Sequence, residues 1–307
     1  MSLTFVFPGQ GSQYPGMTEK VIGVYPEAEA LFREADRALG FGLYDLARQG
    51  SAEELMRTEN AQPAILMVSV AWASYLFQRG ISLDYVCGHS LGEFSALVVA
   101  GVLEFNEALR LVRRRGELMR DAVGVKGGGM VAIIGLAADI VQRIVRNAAE
   151  FGVIEIANWN SPDQLVLSGE FGALAKAQEL SRLAGARMVR SLPVAAPFHS
   201  SLMRVAAQRF QTELSKVTFR DARIPVMVNA GPQLLRDRGR IQEAFAQQME
   251  HPVLWEACIL QLIEAQVDTF REVGPKSVLT TLIRSISPAV DAEAVEKMAE
   301  GGEKGRS

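Results

Sequence analysis

The chain has 307 residues, 49% of them hydrophobic, and a formal net charge of −3, which suits one large globular domain, or a large one with an insertion, and argues against a nucleic-acid partner. Its two cysteines, Cys87 and Cys258, give neither a disulfide framework nor a metal-ligand spacing, and the start MSLTFVFPGQ lacks the basic residues and long apolar core of a signal peptide. The longest mostly apolar stretch, 64–77, is broken by serines and too short to span a bilayer, so a reducing cytoplasm and no membrane attachment are expected.

In chain order, residues 3–7 form an apolar run closed by Pro8-Gly9, which predicts a buried strand and a tight turn. Residues 26–39 have helical spacing and Gly40 as a stop, and Ser51-Ala52-Glu53-Glu54 fits a capping box that opens a short helix. A long helix is predicted over 63–78, ended by Gly80, then a strand at 85–87, a helix over 91–100 ended by Gly101, and a helix over 107–119. Strands alternating with helices predict an α/β fold with a mainly parallel sheet. After Lys126-Gly127-Gly128-Gly129 the order changes to strand 130–134, helix 138–149, strands 153–158 and 164–168, helix 172–184 and strand 187–194. That β-α-β-β-α-β order is ferredoxin-like. It predicts a small domain at 128–194 inserted into a large one made of 1–127 and 195–307. The α/β pattern resumes with strand 224–228, helix 241–249, strand 269–273 and helix 277–286, and the Gly-containing tail after Lys297 is expected to fray.

The stretch VCGHSLGEFSA, residues 86–96, carries the clearest chemistry. Gly88-His89-Ser90-Leu91-Gly92 fits G-x-S-x-G at a strand-to-helix junction, the setting of a nucleophile elbow. So sharp a turn presses the positions two before and two after the serine together, and a Cβ there would clash. Ser90 then stands at a helix N-terminus, where free backbone N–H groups face an incoming oxyanion. The plainer alternative is an ordinary Gly-Ser-Gly turn, and the flanking strand and helix favour the nucleophile.

A serine nucleophile needs a base, and the chain has three histidines. His89 neighbours the serine and points away along the strand end. His251 lies in polar Glu250-His251-Pro252 and reads as a surface or helix-end residue. His199, in Ala195-Ala196-Pro197-Phe198-His199-Ser200, stands where the small domain returns to the large one and so faces a cleft, which makes it the base by elimination. On the predicted helix 107–119, Arg110, Arg113 and Arg114 share a solvated face, whereas Arg115 falls among Ala108, Val112, Gly116 and Met119. A guanidinium there needs an anion: a structural carboxylate such as Glu93, or a substrate carboxylate. The loop Pro8-Gly9-Gln10-Gly11-Ser12-Gln13 fails as a dinucleotide loop, because Tyr14 occupies the place of the third glycine, but it is suited to lend a backbone N–H to an oxyanion hole.

Taken together, Phe7-Pro8-Gly9-Gln10-Gly11-Ser12-Gln13, Gly88-His89-Ser90-Leu91-Gly92-Glu93, Arg115-Gly116, Asn160-Ser161-Pro162 with Gln164 and Ser168-Gly169, Pro197-Phe198-His199, and Gln248 before Pro252-Val253 resemble the malonyl-CoA:acyl carrier protein transacylases and the related polyketide acyltransferases. The resemblance covers nearly the whole chain. It implies an α/β-hydrolase-like core with a ferredoxin-like insertion, malonyl-CoA and acyl carrier protein as partners, and no cofactor or metal. By the same resemblance Ser90 becomes malonylated, His199 is the base, the backbone N–H groups of Gln10 and Leu91 form the oxyanion hole, and Arg115 holds the malonate carboxylate. It further implies that Gln248 helps to place the active-site groups, that backbone carbonyls rather than an acid orient the histidine, and that the bulk of Phe198 goes with malonyl over branched acyl groups. Asn229-Ala230-Gly231-Pro232 departs from the pattern, since relatives more often have a valine after the asparagine. Three competitors remain at this level. They are a serine hydrolase or thioesterase, a non-enzymatic acyl-binding scaffold, and a malonyl transferase serving a polyketide synthase or malonate decarboxylase.

Overall fold

The computed structural model describes residues 2–122, 127–194 and 196–303. The first strand, β1 (Leu3–Phe7), has no polar face because helices cover both: Phe5 and Phe7 enter one buried cluster and Val6 another. It is followed by α1 (Met17–Val24), α2 (Ala28–Leu39), α3 (Leu43–Gln49), α4 (Ala52–Met56), α5 (Thr58–Gln78), β2 (Tyr85–Gly88), α6 (Gly92–Val99) and α7 (Phe105–Asp121). Then come β3 (Gly129–Ile134), α8 (Ala138–Ala148), β4 (Ile154–Ser161), β5 (Gln164–Gly169), α9 (Phe171–Leu183) and β6 (Met188–Ser191). The remainder comprises α10 (Arg204–Leu214), β7 (Val226–Val228), β8 (Gln233–Leu235), α11 (Arg238–Gln247), α12 (Trp255–Glu264), β9 (Thr269–Glu272), α13 (Val278–Ile286), β10 (Asp291–Ala294) and α14 (Val295–Glu303).

The main sheet has the order β10-β9-β1-β2-β7-β8 and is parallel except for the β7–β8 pair. α5 and α6 cover one face; α12 and α13 cover the other, where Cys87 and Cys258 meet the same cluster as free buried thiols. In the β1–β2 pair Phe7 lies opposite Gly88, so both strands end level and their loops leave the same carboxyl edge side by side. That edge is where ligands collect in open parallel sheets.

The second sheet is antiparallel, in the order β4-β5-β3-β6. Along β3 the faces alternate: Val131 and Ile133 pack with residues of α8 and α9, whereas Met130 and Ala132 belong to the core cluster of the main body. Trp159 N–H donates to Val253 O at 2.9 Å and Val253 N–H to Ala157 O at 2.8 Å, which stitches β4 to the segment leading into α12.

Several elements differ from expectation for identifiable reasons. α5 begins at Thr58 rather than at Pro63. Pro63 leaves the Glu59 carbonyl without its helical donor, and Arg113 Nη1 supplies one at 3.0 Å, so the helix passes through the proline. The sequence reading passes over α1, α3, α10, α12, β8 and β10. β10 reads Asp-Ala-Glu-Ala, residue types depleted in strands, and forms because Ala292 and Ala294 are buried beside β9. Fraying after Lys297 is not found: α14 continues to Glu303, with Val295 buried, Tyr14 bonded to Glu296 and Lys20 paired with Glu300. Residues 304–307 lie outside the described residues, as do Lys126 and Ala195 at the expected edges of the small domain.

Candidate active site

The elbow is built by sterics. A Cβ on Gly88 would lie 2.0 Å from the Gly92 carbonyl carbon, and one on Gly92 would lie 1.9 Å from the Phe7 oxygen. With hydrogen at both places the chain reverses at Ser90, whose φ of 52° lies in the left-handed region. That conformation costs a non-glycine residue about 1–3 kcal/mol unless its surroundings impose it. Here they do: Ser90 N–H donates to Asn229 Oδ1 at 2.8 Å, Gln248 Nε2 donates to the Ser90 carbonyl at 2.9 Å, and Asn229 Nδ2 donates to the Gly88 carbonyl at 2.8 Å.

Ser90 Oγ lies 2.7 Å from His199 Nε2. His199 Nδ1 is 3.1 Å from the carbonyl of Gln248 and 3.1 Å from that of His251. Both of those groups only accept, so Nδ1 carries the proton and Nε2 is left to accept from the serine. α11 stops at Gln247, short of the expected 249, and the chain leaving it presents these carbonyls. The His199 N–H also donates to the Met249 carbonyl at 3.2 Å, and its φ of 57° is a second left-handed backbone at the site. Burial, then the Arg115 charge, then His89 hold the His199 imidazole down to about 3, so it is neutral and Nε2 keeps its lone pair for the serine hydroxyl. His251 is exposed and turns only its carbonyl inward. His89 bonds Asn160 Oδ1 through Nε2 at 2.9 Å and packs beside Trp255, engaged away from the serine hydroxyl.

Arg115 is 1% exposed. Its neighbour Gly116 lets α7 press against α5, since a Cβ there would sit 2.5 Å from Glu59 Cα. Nη1 donates to Gln62 Oε1 at 2.8 Å, Nη2 donates to Ser90 Oγ at 3.1 Å, and Nε has no partner among the described residues. Burial lowers this guanidinium to about 10, opposed by the charge of Glu93, so it stays cationic at neutral pH. Glu93 does not form an ion pair with it: among the described residues no carboxylate lies within 4.0 Å of Arg115. Glu93 instead accepts from Asn229 N–H at 2.8 Å and from Gln248 Nε2 at 2.5 Å. The expected solvated face of α7 holds for Arg110 and Arg114 but not for Arg113, which is half-buried over Phe41 and bonded to Glu117 and Asn60.

Gln10 and Leu91 flank Ser90 in a cleft of about 240 Å³ that also holds Arg115 and His199. Among the described residues neither the Gln10 nor the Leu91 N–H donates to a protein acceptor. Gly9 allows this approach, because a Cβ on it would lie 2.6 Å from the His89 carbonyl. The Gln10 side chain is held by Thr58, which is in turn bonded by Gln62, so one chain of contacts links the loop to the arginine. Phe198, 6% exposed, forms part of the wall. Met130 and Val166 come from the small sheet, Leu192 from the residue just after β6, and Val278 and Leu282 from α13. Thr58, Gln62 and Asn229 are missing from the sequence reading of the site. Gln62 had one usable signal, a polar residue in an otherwise apolar helix.

Residues 4–302 match the acyl transferase domain family. The chain is 40% identical over 294 residues to a malonyl CoA-acyl carrier protein transacylase of Bacillus subtilis, covering 95% of this chain and 93% of the relative. It is 41% identical over 296 residues to one of Salmonella typhimurium, covering 96% of each. Among solved structures it is similar to an acyl carrier protein S-malonyltransferase from Vibrio cholerae, with a TM-score of 0.92 and 38% identity over 96% of both chains. It is also similar to a chain in the complex of a type II PKS acyl-carrier protein with its malonyl-transacylase, with a TM-score of 0.94 and 36% identity, covering 98% of this chain and 100% of that one.

Proposed function

The chain belongs to the acyl transferase domain family, and from that premise we propose that it is an acyl-carrier-protein S-malonyltransferase. It moves a malonyl group from coenzyme A to the phosphopantetheine thiol of acyl carrier protein, in the cytoplasm, for fatty acid biosynthesis. Ser90 Oγ attacks the thioester carbonyl while His199 Nε2 takes its proton. The oxyanion that forms faces the N–H groups of Gln10 and Leu91, which have no protein acceptor among the described residues to give up. As the intermediate collapses and its C–S bond breaks, His199 gives the proton to the departing coenzyme A thiolate, leaving malonyl-Ser90. The carrier thiol then repeats the sequence in reverse. Arg115 binds the distal carboxylate, the apolar cleft wall takes the pantetheine arm, and Phe198 limits branching at the acyl group.

The observation that carries this reading is the Arg115 guanidinium: buried, without a carboxylate partner among the described residues, and 3.1 Å from the nucleophile. A hydrolase of neutral esters has no use for a cation there. For the architecture we read 128–194 as a ferredoxin-like unit inserted in an α/β-hydrolase-like body of 1–127 and 195–307. The strand order β4-β5-β3-β6 and the β-α-β-β-α-β chain order support it. The test is to mix the protein with malonyl-CoA and no acceptor, map the added mass, and compare malonate release with transfer to carrier protein. A malonyl group on Ser90, released faster by carrier thiol than by water, is expected. A label elsewhere, or none on active enzyme, refutes it.

A further inference from the structure

We propose that Glu93 is a positioning residue of the transfer, whose carboxylate locks the nucleophile and the base into one geometry through Asn229 and Gln248. The inference rests on the Ser90–His199 reading above and adds a residue that touches neither reacting atom.

Glu93 is 1% exposed and sits in the first turn of α6, where the helix N-terminus favours a negative charge. Each of its oxygens accepts one bond. Oε1 takes the Asn229 N–H, and the Asn229 side chain clamps the two peptide groups that lead into Ser90, at the Gly88 carbonyl and the Ser90 N–H. Oε2 takes Gln248 Nε2, which also donates to the Ser90 carbonyl. The Gln248 main chain supplies one of the two carbonyls that fix the His199 proton on Nδ1. One buried carboxylate therefore reaches the strained Ser90 backbone by two routes and the tautomer of His199 by a third.

The donor pattern requires the ionised form. Asn229 N–H cannot rotate into an acceptor, and the Gln248 amide must point its NH₂ toward both Glu93 and the Ser90 carbonyl. A proton on Glu93, or the NH₂ of a glutamine in its place, would meet a donor either way. Gln248 would then have to turn its amide and drop the Ser90 carbonyl, or Asn229 N–H would lose its acceptor. Burial pushes the Glu93 carboxyl up to about 7, opposed by the bonds from Gln248 and Asn229 and by Arg115. Among the described residues the other ionisable groups around it are Arg115 on α7, the Cys87 thiol on β2 and, beyond Gln248, His199. His199, held near 3, stays neutral across the range in which Glu93 changes charge.

The test measures kcat and KM for malonyl transfer by wild type, Glu93→Gln and Glu93→Asp from about pH 5 to about pH 9, with Ser90 labelling and thermal melts as controls. Wild type should lose kcat as the pH falls through about 7, with KM for malonyl-CoA steady, because protonation breaks the clamp and leaves Arg115 in place. Glu93→Gln should lose at least about tenfold in kcat, keep KM within about twofold, and lack that acid limb, since misplacing a reacting group by fractions of an ångström is costly. Glu93→Asp, which keeps the charge, should retain the limb. A wild-type kcat flat across this range overturns the proposal without any variant. So does a Glu93→Gln enzyme with wild-type kcat, or one whose activity falls only with its folded fraction. If wild type is not labelled at Ser90, the reading of the site fails; if it is labelled and Glu93→Gln is unaffected, only this inference fails.

Discussion

Arg115→Ala is the sharpest test of acid selectivity. The guanidinium is 1% exposed, has no carboxylate within 4.0 Å among the described residues, and keeps Nε without a partner. A malonate carboxylate arriving there forms charge-assisted, paired hydrogen bonds in a cleft with apolar walls. Removing one side of such a buried pair costs about 3–5 kcal/mol, most of it from the charge left unpaired. At about 1.4 kcal/mol per tenfold, that is roughly a hundredfold to a few thousandfold in kcat/KM. An acetyl group carries no charge and escapes the penalty, so the variant should lose malonyl transfer and keep or gain acetyl transfer. Arg115→Lys should restore little, because an ammonium does not reproduce the planar fork that now spans Gln62 and Ser90. The assay is kcat/KM for both thioesters on each variant, with a thermal melt to check folding, since the side chain also packs over Phe94. Equal falls for the two substrates in a well-folded variant would show that Arg115 is architectural and that the carboxylate is read elsewhere.

Two further outcomes are expected. His199→Ala should cost on the order of a hundredfold or more in steady-state transfer, the usual worth of a positioned base. His251→Ala should cost far less, because alanine keeps the carbonyl through which, among the described residues, this residue meets the site; equal losses would refute the assignment. Two groups of basic residues are candidates for docking the carrier protein, Arg110, Arg113 and Arg114 on α7 and Arg187 and Arg190 at β6: Arg113 and Arg114 are paired with Glu117, and Arg187 with Asp163, whereas Arg110, bonded to the Ala38 carbonyl, and Arg190 on the edge strand β6 make no ion pair among the described residues. Of these Arg190 stands just ahead of cleft-lining Leu192, so carrier protein is expected to dock there. Arg190→Glu should raise the KM for carrier protein, and wild-type affinity should fall as salt shortens the screening length below about 10 Å. A carrier KM that ignores both salt and this substitution would rule the patch out.

What could be read from the sequence was whatever a short segment dictates by itself. Gly88 announces the elbow because the clash it avoids, with Gly92, is local, whereas the clash Gly92 avoids is with Phe7 on β1 and shows only in the fold; Arg115 stands out because helical spacing alone puts it among apolar residues. Pro63 misled for the converse reason. Its effect on the helix depends on the Glu59 carbonyl, and the donor that satisfies that carbonyl is Arg113, on another helix. Glu93 is the fullest case. The sequence left a Glu93 ion pair open as one of two ways to satisfy Arg115, yet the carboxylate turns to Asn229 and Gln248, which lie on segments far along the chain. The reason lies in where the donors are. Asn229 leaves the end of β7 beside β2, and Gln248 leaves the end of α11 beside His199, so the sheet order and one helix end bring two fixed donors to the carboxylate. Arg115 is then left without a protein anion. On the proposed reading, an ion pair between Arg115 and Glu93 would have filled the place of the substrate carboxylate, so the network that holds Ser90 and His199 also leaves the Arg115 cation available to substrate.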